Sequence, residues 1–447
     1  MLASTSAERK TNKSLLPTPD ALTFLLYLIL VAIGILSVFS VEYQDSDTSF
    51  FLMYRSHTKQ LIWLGISLFT GLVILLTDSK FFSSFAFLGY LIGIGLLVIT
   101  IFAGADVKGS HSWLGVGDFR FQPGEVHKIF TALALAKFLS LPETNFKTLK
   151  DRLIAAVIVL LPMAIIILQS ETGLALVYLS FILAMYREGL PSSVLVIGLS
   201  MIVLTLATLL VERHLLLYIL LGAAVLSIII WKRPLRRKAS ARFIFIAALG
   251  ISIVFSQILV PFAFKHVLKN YQIERIYAML GQDVPSEYYK LDEGEEVPVK
   301  KDTDYNVRQS KIAIGSGGLF GKGFLNGTST RGSFVPEQNT DFIFCSVGEQ
   351  FGFMGSMALI AIYIALMLRI LYLAERQRSV FSRVYGYCVA SILFFHFAIN
   401  ISMTIGLAPV IGITLPFLSY GGSSLLSFSI LIFILLRLDA DRNVLIR

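Results

Sequence analysis

Residues 21–41 read ALTFLLYLILVAIGILSVFSV. The run carries no charge and is about 20 residues long, enough to cross a bilayer core as a single helix. A polar stretch with Lys10 and Lys13 precedes it, and no small-x-small cleavage pattern follows, so it reads as a retained signal anchor. Working outward, comparable runs predict spans near 60–77, 82–103, 126–141, 152–169, 171–187, 191–211, 214–231, 241–262, 352–373, 384–405 and 422–438. Composition points the same way. Of 447 residues, 55% are hydrophobic and 15% charged, against about 25% charged in a soluble domain. The expected fold class is all-α: a polytopic helical bundle in the membrane, with about 10–12 spans by length and one large extracytoplasmic loop.

The net charge of +9 would suggest nucleic acid in a soluble chain. Here the basic residues sit at span ends, as the positive-inside rule requires, and no nucleic-acid motif is present. Segment 232–240 holds Lys232, Arg233, Arg236, Arg237 and Lys238, and segment 374–383 holds Arg376, Arg378 and Arg383. Both are expected to be cytoplasmic, as are the 1–20 and 439–447 tails. That divides the chain into N-terminal transmembrane helices (21–262), a large extracytoplasmic loop (263–351) and C-terminal transmembrane helices (352–438). The two cysteines, Cys345 and Cys388, lie in or beside apolar runs and are too few and too far apart for a disulfide framework or a zinc site.

Polar residues collect in two outer segments, 104–125 and 263–351. Connections this long are usually functional when they are ordered. The larger has an acidic front, with Glu293, Glu295 and Glu296, and a back half rich in glycine and phenylalanine. The last hairpin, 404–424, is interrupted by Gly406, Pro409, Gly412, Pro416, Gly421 and Gly422. Irregular backbone at membrane depth must be buried in protein or line a cavity.

Four segments share one pattern. The first runs from Ser112-Trp113-Leu114 through Phe121-Gln122-Pro123-Gly124-Glu125 to Lys128. The second is Gln309-Ser310-Lys311-Ile312-Ala313-Ile314-Gly315-Ser316-Gly317-Gly318, then Gly321-Lys322-Gly323. The third is Phe334-Val335-Pro336-Glu337, followed by Thr340-Asp341-Phe342 and Gly348-Glu349. The fourth runs from Asn400 through Gly406-Leu407-Ala408-Pro409 to Leu415-Pro416-Phe417-Leu418-Ser419-Tyr420-Gly421-Gly422. In this order they resemble the SEDS (shape, elongation, division and sporulation) family over residues 20–440, and the wording is closer to its elongation branch than to its division branch. Departures are Gly124 where a serine is usual, Ser112 where an arginine is common, and twelve spans where the family has ten, the extra pair falling within 191–231.

The resemblance implies a peptidoglycan glycosyltransferase that polymerises lipid II into glycan strands with inversion at the anomeric carbon, serving wall elongation and cell shape. It implies a class B penicillin-binding protein as transpeptidase partner, its membrane helix packing on 384–424, beside other elongation-complex proteins and membrane lipids, and no nucleic acid. The family's catalytic aspartate falls in the large loop. Strict spacing lands on Val299, which makes Asp302 the first candidate, Asp304 the second and Glu296 the third. A carboxylate can take the proton of the attacking hydroxyl. Cationic side chains, or a divalent cation such as magnesium or manganese, can stabilise the departing pyrophosphate. Arg275 and Lys322 are candidate phosphate partners. The matched motifs add Gln309, Ser310, Glu337, Asp341 and Ser419 as substrate-binding positions.

Glu125 and Lys128 stand three apart and share a helix face; they read as an ion pair or as part of a substrate cavity. Glu171 reads as an N-terminal helix cap. His396 and Asn400 share a face, as a buried hydrogen-bonding pair or as catalytic groups. The Gly315–Lys322 stretch is not a nucleotide-binding P-loop, because Ser316 and Gly323 break the required spacing, so no nucleotide is expected; it serves as a tight turn or as an anion nest. Two other functions share the same features. A lipid II flippase would also use many spans and broken helices, and a non-catalytic scaffold would need no loop acid.

Overall fold

The computed structural model describes residues 19–43, 55–107, 110–116, 119–230, 239–288 and 305–442. In chain order its helices are α1 (Ala21–Glu42), α2 (Ser56–Leu76), α3 (Ser79–Ala103), α4 (Pro123–Ser140), α5 (Leu149–Leu168), α6 (Thr172–Val177) and α7 (Phe181–Arg187). There follow α8 (Ser192–Leu210), α9 (Arg213–Ile230), α10 (Ala239–Val254), α11 (Asn270–Met279) and α12 (Tyr305–Ser316). The last four are α13 (Thr328–Arg331), α14 (Ile343–Glu375), α15 (Val380–Thr404) and α16 (Gly422–Ala440). The helices form two compact units. One comprises Met1–Glu188, Ile314–Asn400 and Ile413–Arg447; the other comprises Gly189–Ala313 and Ile401–Gly412.

Among the described residues, ten helices are long and apolar enough to cross a membrane. Two of the twelve expected spans are not among them. Residues 172–187 form two short helices joined by a 3-10 turn at Tyr178–Ser180. Helix α4 carries Glu125, His127, Lys128 and Lys137, and nearly all of it is buried against α3, α5 and α16. A helix enclosed by protein need not be apolar on every side, which is why its sequence looks like a weak span.

In the larger unit α1 packs on α14, and α16 packs on α2 and α4. Asp20 starts α1 by accepting from the amide and hydroxyl of Thr23 at 3.0 and 2.8 Å. Gly34 lets α1 close onto the 417–418 backbone: a Cβ there would lie 2.3 Å from the Phe417 carbonyl oxygen. Small residues permit such close approach between membrane helices. Segment 104–125 holds a three-stranded antiparallel meander, β1 (Ala105–Val107), β2 (Ser110–Val116) and β3 (Phe119–Phe121), pairing Ala105 with Trp113 and Leu114 with Phe121. It is a small addition to an otherwise all-α fold.

Helix α14 is broken at Gly352, whose φ is 65° and ψ −161°. The break frees carbonyls before it and amides after it, and the 317–323 loop satisfies them. The amides of Lys322 and Gly323 donate to the carbonyls of Glu349 and Gln350 at 3.0 and 2.9 Å, while those of Phe353 and Met354 donate to Gly318 and Leu319 at 2.8 and 3.0 Å. The glycines are required by proximity. A Cβ on Gly317 or Gly321 would sit 2.1 Å from a carbonyl oxygen of α14. The uses foreseen for this glycine-rich stretch were a tight turn and an anion nest; the Gly317 and Gly318 amides close turns on the Ile314 and Gly315 carbonyls at 3.2 and 3.3 Å, and the docking on α14 was not foreseen.

In the smaller unit, α10 continues through π-helical turns at Phe255–Leu259 and Ala263–Val267 on either side of Pro261. Proline lacks an amide and crowds the preceding turn, and wider turns accommodate it. The helix therefore runs to Val267, and α14 begins at Ile343, so the connection between them is 268–342. Val260, Phe264, Ile273, Tyr277 and Tyr288 form a local core with Leu209 of α8.

Candidate functional site

Helix α4 begins with Pro123 at its first position, which needs no amide partner. One turn on, Lys128 Nζ bonds the Glu125 carboxylate. Lys128 is fully buried; its Nζ lies 3.9 Å from the centre of the Phe428 ring and 3.4 Å from His396 Nε2. His396 Nδ1 lies 3.1 Å from the Thr414 carbonyl. A carbonyl only accepts, so Nδ1 carries the proton and Nε2 is left to accept from Lys128. The ammonium thus has a carboxylate, an imidazole lone pair and a ring face around it, the compensation a fully buried charge requires.

The irregular 413–421 backbone is held over this centre by side chains of the same unit. Asn400 Nδ2 donates to the carbonyls of Asp341 and Ile413 at 2.8 and 2.6 Å. Tyr363 donates to the Pro416 carbonyl. Ser419 Oγ donates to the Thr340 carbonyl at 2.5 Å and accepts from the Leu415 amide at 2.8 Å. The Tyr420 amide donates to the Asn339 carbonyl at 2.8 Å. Ser427 Oγ closes the circuit by donating to the Glu125 carbonyl at 2.6 Å. Phe417 and Glu337 both have positive φ, 68° and 55°, a strained state for non-glycine residues that persists where the surroundings over-determine it.

Beside this network lies a second charged cluster. Glu349 is fully buried and accepts from Lys322 Nζ, the Ser329 amide and the Thr330 amide, each at 2.8 Å, and from Thr330 Oγ1 at 2.6 Å. It caps the amino end of α13 and neutralises Lys322 in the same place.

The sequence-derived positions therefore divide. Glu125, Lys128, Lys322, Glu337, Asp341 and Ser419 lie in the larger unit, where Asp341 and Ser419 are tied together through Thr340 and Asn400. Arg275, Gln309 and Ser310 lie in the smaller one. Arg275 is exposed and stacks on Tyr271, 5.5 Å from its ring centre. Gln309 is half-buried, and Ser310 is buried with its hydroxyl donating to the Thr404 carbonyl at 2.9 Å. Asp302, Asp304 and Glu296 lie outside the described residues. Glu171 occupies an N-cap position but makes no capping bond; its carboxylate accepts from Ser112 Oγ at 2.6 Å instead. Among the described residues no three or more His, Cys, Asp or Glu side chains converge to hold a metal ion.

Two anchors escaped the sequence reading. Glu349 was quoted only as part of a motif, although an acid seven residues into an apolar helix is a signal in itself. Glu42 ends α1, accepts from the Ser56 amide at 2.7 Å and from Asn339 Nδ2 at 3.3 Å, and so ties α1 and α2 to the 336–341 segment.

Apolar helices of spanning length around a buried charged centre define an integral membrane protein. The family model of FtsW, RodA and SpoVE, described as cell cycle proteins, matches residues 20–217 and 194–444. The chain belongs to this family, the one its four motifs resemble. It is 31% identical over 445 residues to the peptidoglycan glycosyltransferase RodA of Treponema pallidum, covering 94% of this chain and 97% of that one. To the peptidoglycan glycosyltransferase MrdB of Escherichia coli K12 it is 31% identical over 338 residues, covering 75% and 73%. Among solved structures, a peptidoglycan synthase complex that coordinates polymerization and crosslinking matches with a TM-score of 0.67 at 23% identity, and the rod shape determining protein RodA of Thermus thermophilus with 0.60 at 22%. Each match covers 95% of this chain and 98% of the other, and the likeness is one of fold.

Proposed function

We propose that this protein is a peptidoglycan glycosyltransferase that polymerises lipid II into glycan strands at the outer face of the bacterial cytoplasmic membrane, in wall elongation and shape maintenance. The observation that carries the reading is the end-to-end similarity to relatives named for that activity; in the larger unit, parts of the first, third and fourth motifs are joined by hydrogen bonds around Glu125, Lys128 and Asn400. Both termini are cytoplasmic in this reading, supported by the arginines at the end of α14 and after it.

The chemistry follows from the substrate. A sugar hydroxyl attacks the anomeric carbon of a second lipid-linked sugar; the new C–O bond forms as the bond to the lipid pyrophosphate breaks, and configuration inverts. The hydroxyl proton passes to a loop carboxylate, Asp302 first and Asp304 or Glu296 in its place. Arg275 supports the negative charge that develops on the leaving group. A bound divalent cation, magnesium or manganese, would supply the same neutralisation. No nucleotide takes part. Within the larger unit, the Glu125–Lys128 pair and His396 brace the 413–421 segment. A class B penicillin-binding protein crosslinks the product, its membrane helix seated on 384–424.

The test is polymerisation itself. Purified protein, with and without its transpeptidase partner, is incubated with lipid II and the glycan length is read on a gel. Polymer is the expected product. Translocation of lipid II without polymer identifies a flippase, and neither activity identifies a scaffold.

A further inference from the structure

The loop that completes the break in α14 has an outer side that neither the fold nor the proposed chemistry uses. Its backbone runs along residues 349–354, which brings Leu319, Phe320 and Phe324 beside Phe351, Phe353 and Met354. Phe324 stacks on Phe351 with ring centres 6.3 Å apart. All six side chains are exposed, Phe320 at 81%. A patch of this kind is a liability in water and marks a surface that something covers.

Two observations say that the cover is lipid. The patch is continuous with the apolar stripe of a spanning helix: beyond Phe353 and Met354, α14 goes on to present Met357, Ile364 and Leu368, all exposed. The distance fits as well. From Phe353 to Glu375 the helix is about 35 Å long at its standard rise, against a hydrocarbon core of about 30 Å. The break at Gly352 therefore falls at the edge of the hydrocarbon, and the docked loop lies level with it. The cation within the loop, Lys322, is bonded to Glu349, so the face turned outward is apolar.

We propose that the 318–324 loop is an interfacial membrane anchor whose Leu319 and Phe320 insert into the acyl-chain edge of the bilayer. Lys322 of the same loop shares Glu349 with residues 328–330, so the anchor fixes the height of that segment above the lipid.

The test uses the full chain. Cys345 and Cys388 are buried, so a Phe320→Cys variant can be labelled selectively with a nitrobenzoxadiazole dye and placed in phosphatidylcholine nanodiscs. Lipids spin-labelled near the top of the acyl chain should remove roughly half or more of the dye's emission, while aqueous iodide removes little. Emission quenched by iodide and insensitive to spin-labelled lipid would overturn the proposal. Protection from both quenchers would overturn it too, by showing that a second copy covers the patch. A photoreactive benzophenone at position 320 extends the test to native membranes, where a discrete protein adduct in place of lipid adducts would also count against it. If Phe320→Cys does not fold, Leu319→Cys reports on the same face.

Discussion

Lys322 Nζ lies 2.8 Å from Glu349 Oε1, and the carboxylate is fully buried while the lysine keeps partial access to solvent. The two partners are therefore unequal. Glu349→Ala orphans the amides of Ser329 and Thr330 as well as the ammonium, and should cost about 3 kcal/mol. Lys322→Ala leaves the carboxylate its other donors and should cost about 1 kcal/mol. Thermal unfolding followed by a thiol-reactive dye, reporting on the buried Cys345 and Cys388, reads both. Equal losses would mean that the cap on α13 contributes nothing.

The Glu125–Lys128 pair makes a second prediction. Glu125→Ala strands a fully buried ammonium and should lose about 3 kcal/mol with most of the membrane yield. Exchanging the two charges should not rescue it, because a carboxylate at 128 would face the negative face of the Phe428 ring. Replacing both residues with methionine should restore yield without restoring polymerisation. Recovery of yield by the charge exchange would show that the ring and His396 do not define the site's polarity.

Asp302 carries the third. Asp302→Ala should lose at least about a hundredfold in polymerisation, the lower range of general-base catalysis, with insertion and partner binding intact. Asp302→Asn should lose nearly as much, since the amide keeps the shape without the basicity. Asp304→Ala and Glu296→Ala should lose much less. Parent-level polymerisation in all three alanine variants would exclude an acid of this stretch as the base.

Asp20 supplies a pH dependence. Burial alone would push its carboxyl up, but hydrogen bonds from Arg369 and Thr23 outweigh that and hold it at about 2. A depressed value means that the contribution is complete above the ordinary range near 3.8 and is lost as pH falls through about 2. Asp20→Asn should cost about 2 kcal/mol at neutral pH. The gap between variant and parent unfolding temperatures should narrow between pH 4 and pH 2, and a constant gap would remove the ion pair from the account.

Topology is open to direct labelling. Cysteine at Glu295 should react with an impermeant reagent on intact cells, and cysteine at Ser240 only after permeabilisation. The reverse pattern would invert the orientation.

Much of the fold was legible because the bilayer imposes a simple rule on sequence: 21–41 needed only length and apolarity to be read as a span. Helix α4 was harder for a physical reason. Its neighbours are proteinaceous, so its composition reports on packing instead of on lipid. The Glu125–Lys128 pair could be read from spacing, whereas His396 and Phe428, distant in the chain, could not be joined to it. Glu349 gave a local signal as an acid in an apolar helix, but its partners at 322 and 328–330 are specified by a break in α14 that no periodicity reveals. The glycine-rich stretch resembled a ligand cradle because a backbone bared for a ligand and one bared for another backbone use the same residues.

The interruption at Gly352 also bears on how the chain is made. A helix that cannot close its own ladder would strand polar groups if it entered the bilayer alone. Here the complement, 317–323, is encoded upstream of the break and leaves the ribosome first. By the time α14 reaches the translocation machinery, the segment that completes it is already synthesised, so the order of synthesis supplies each half of the joint before the unpaired backbone meets lipid.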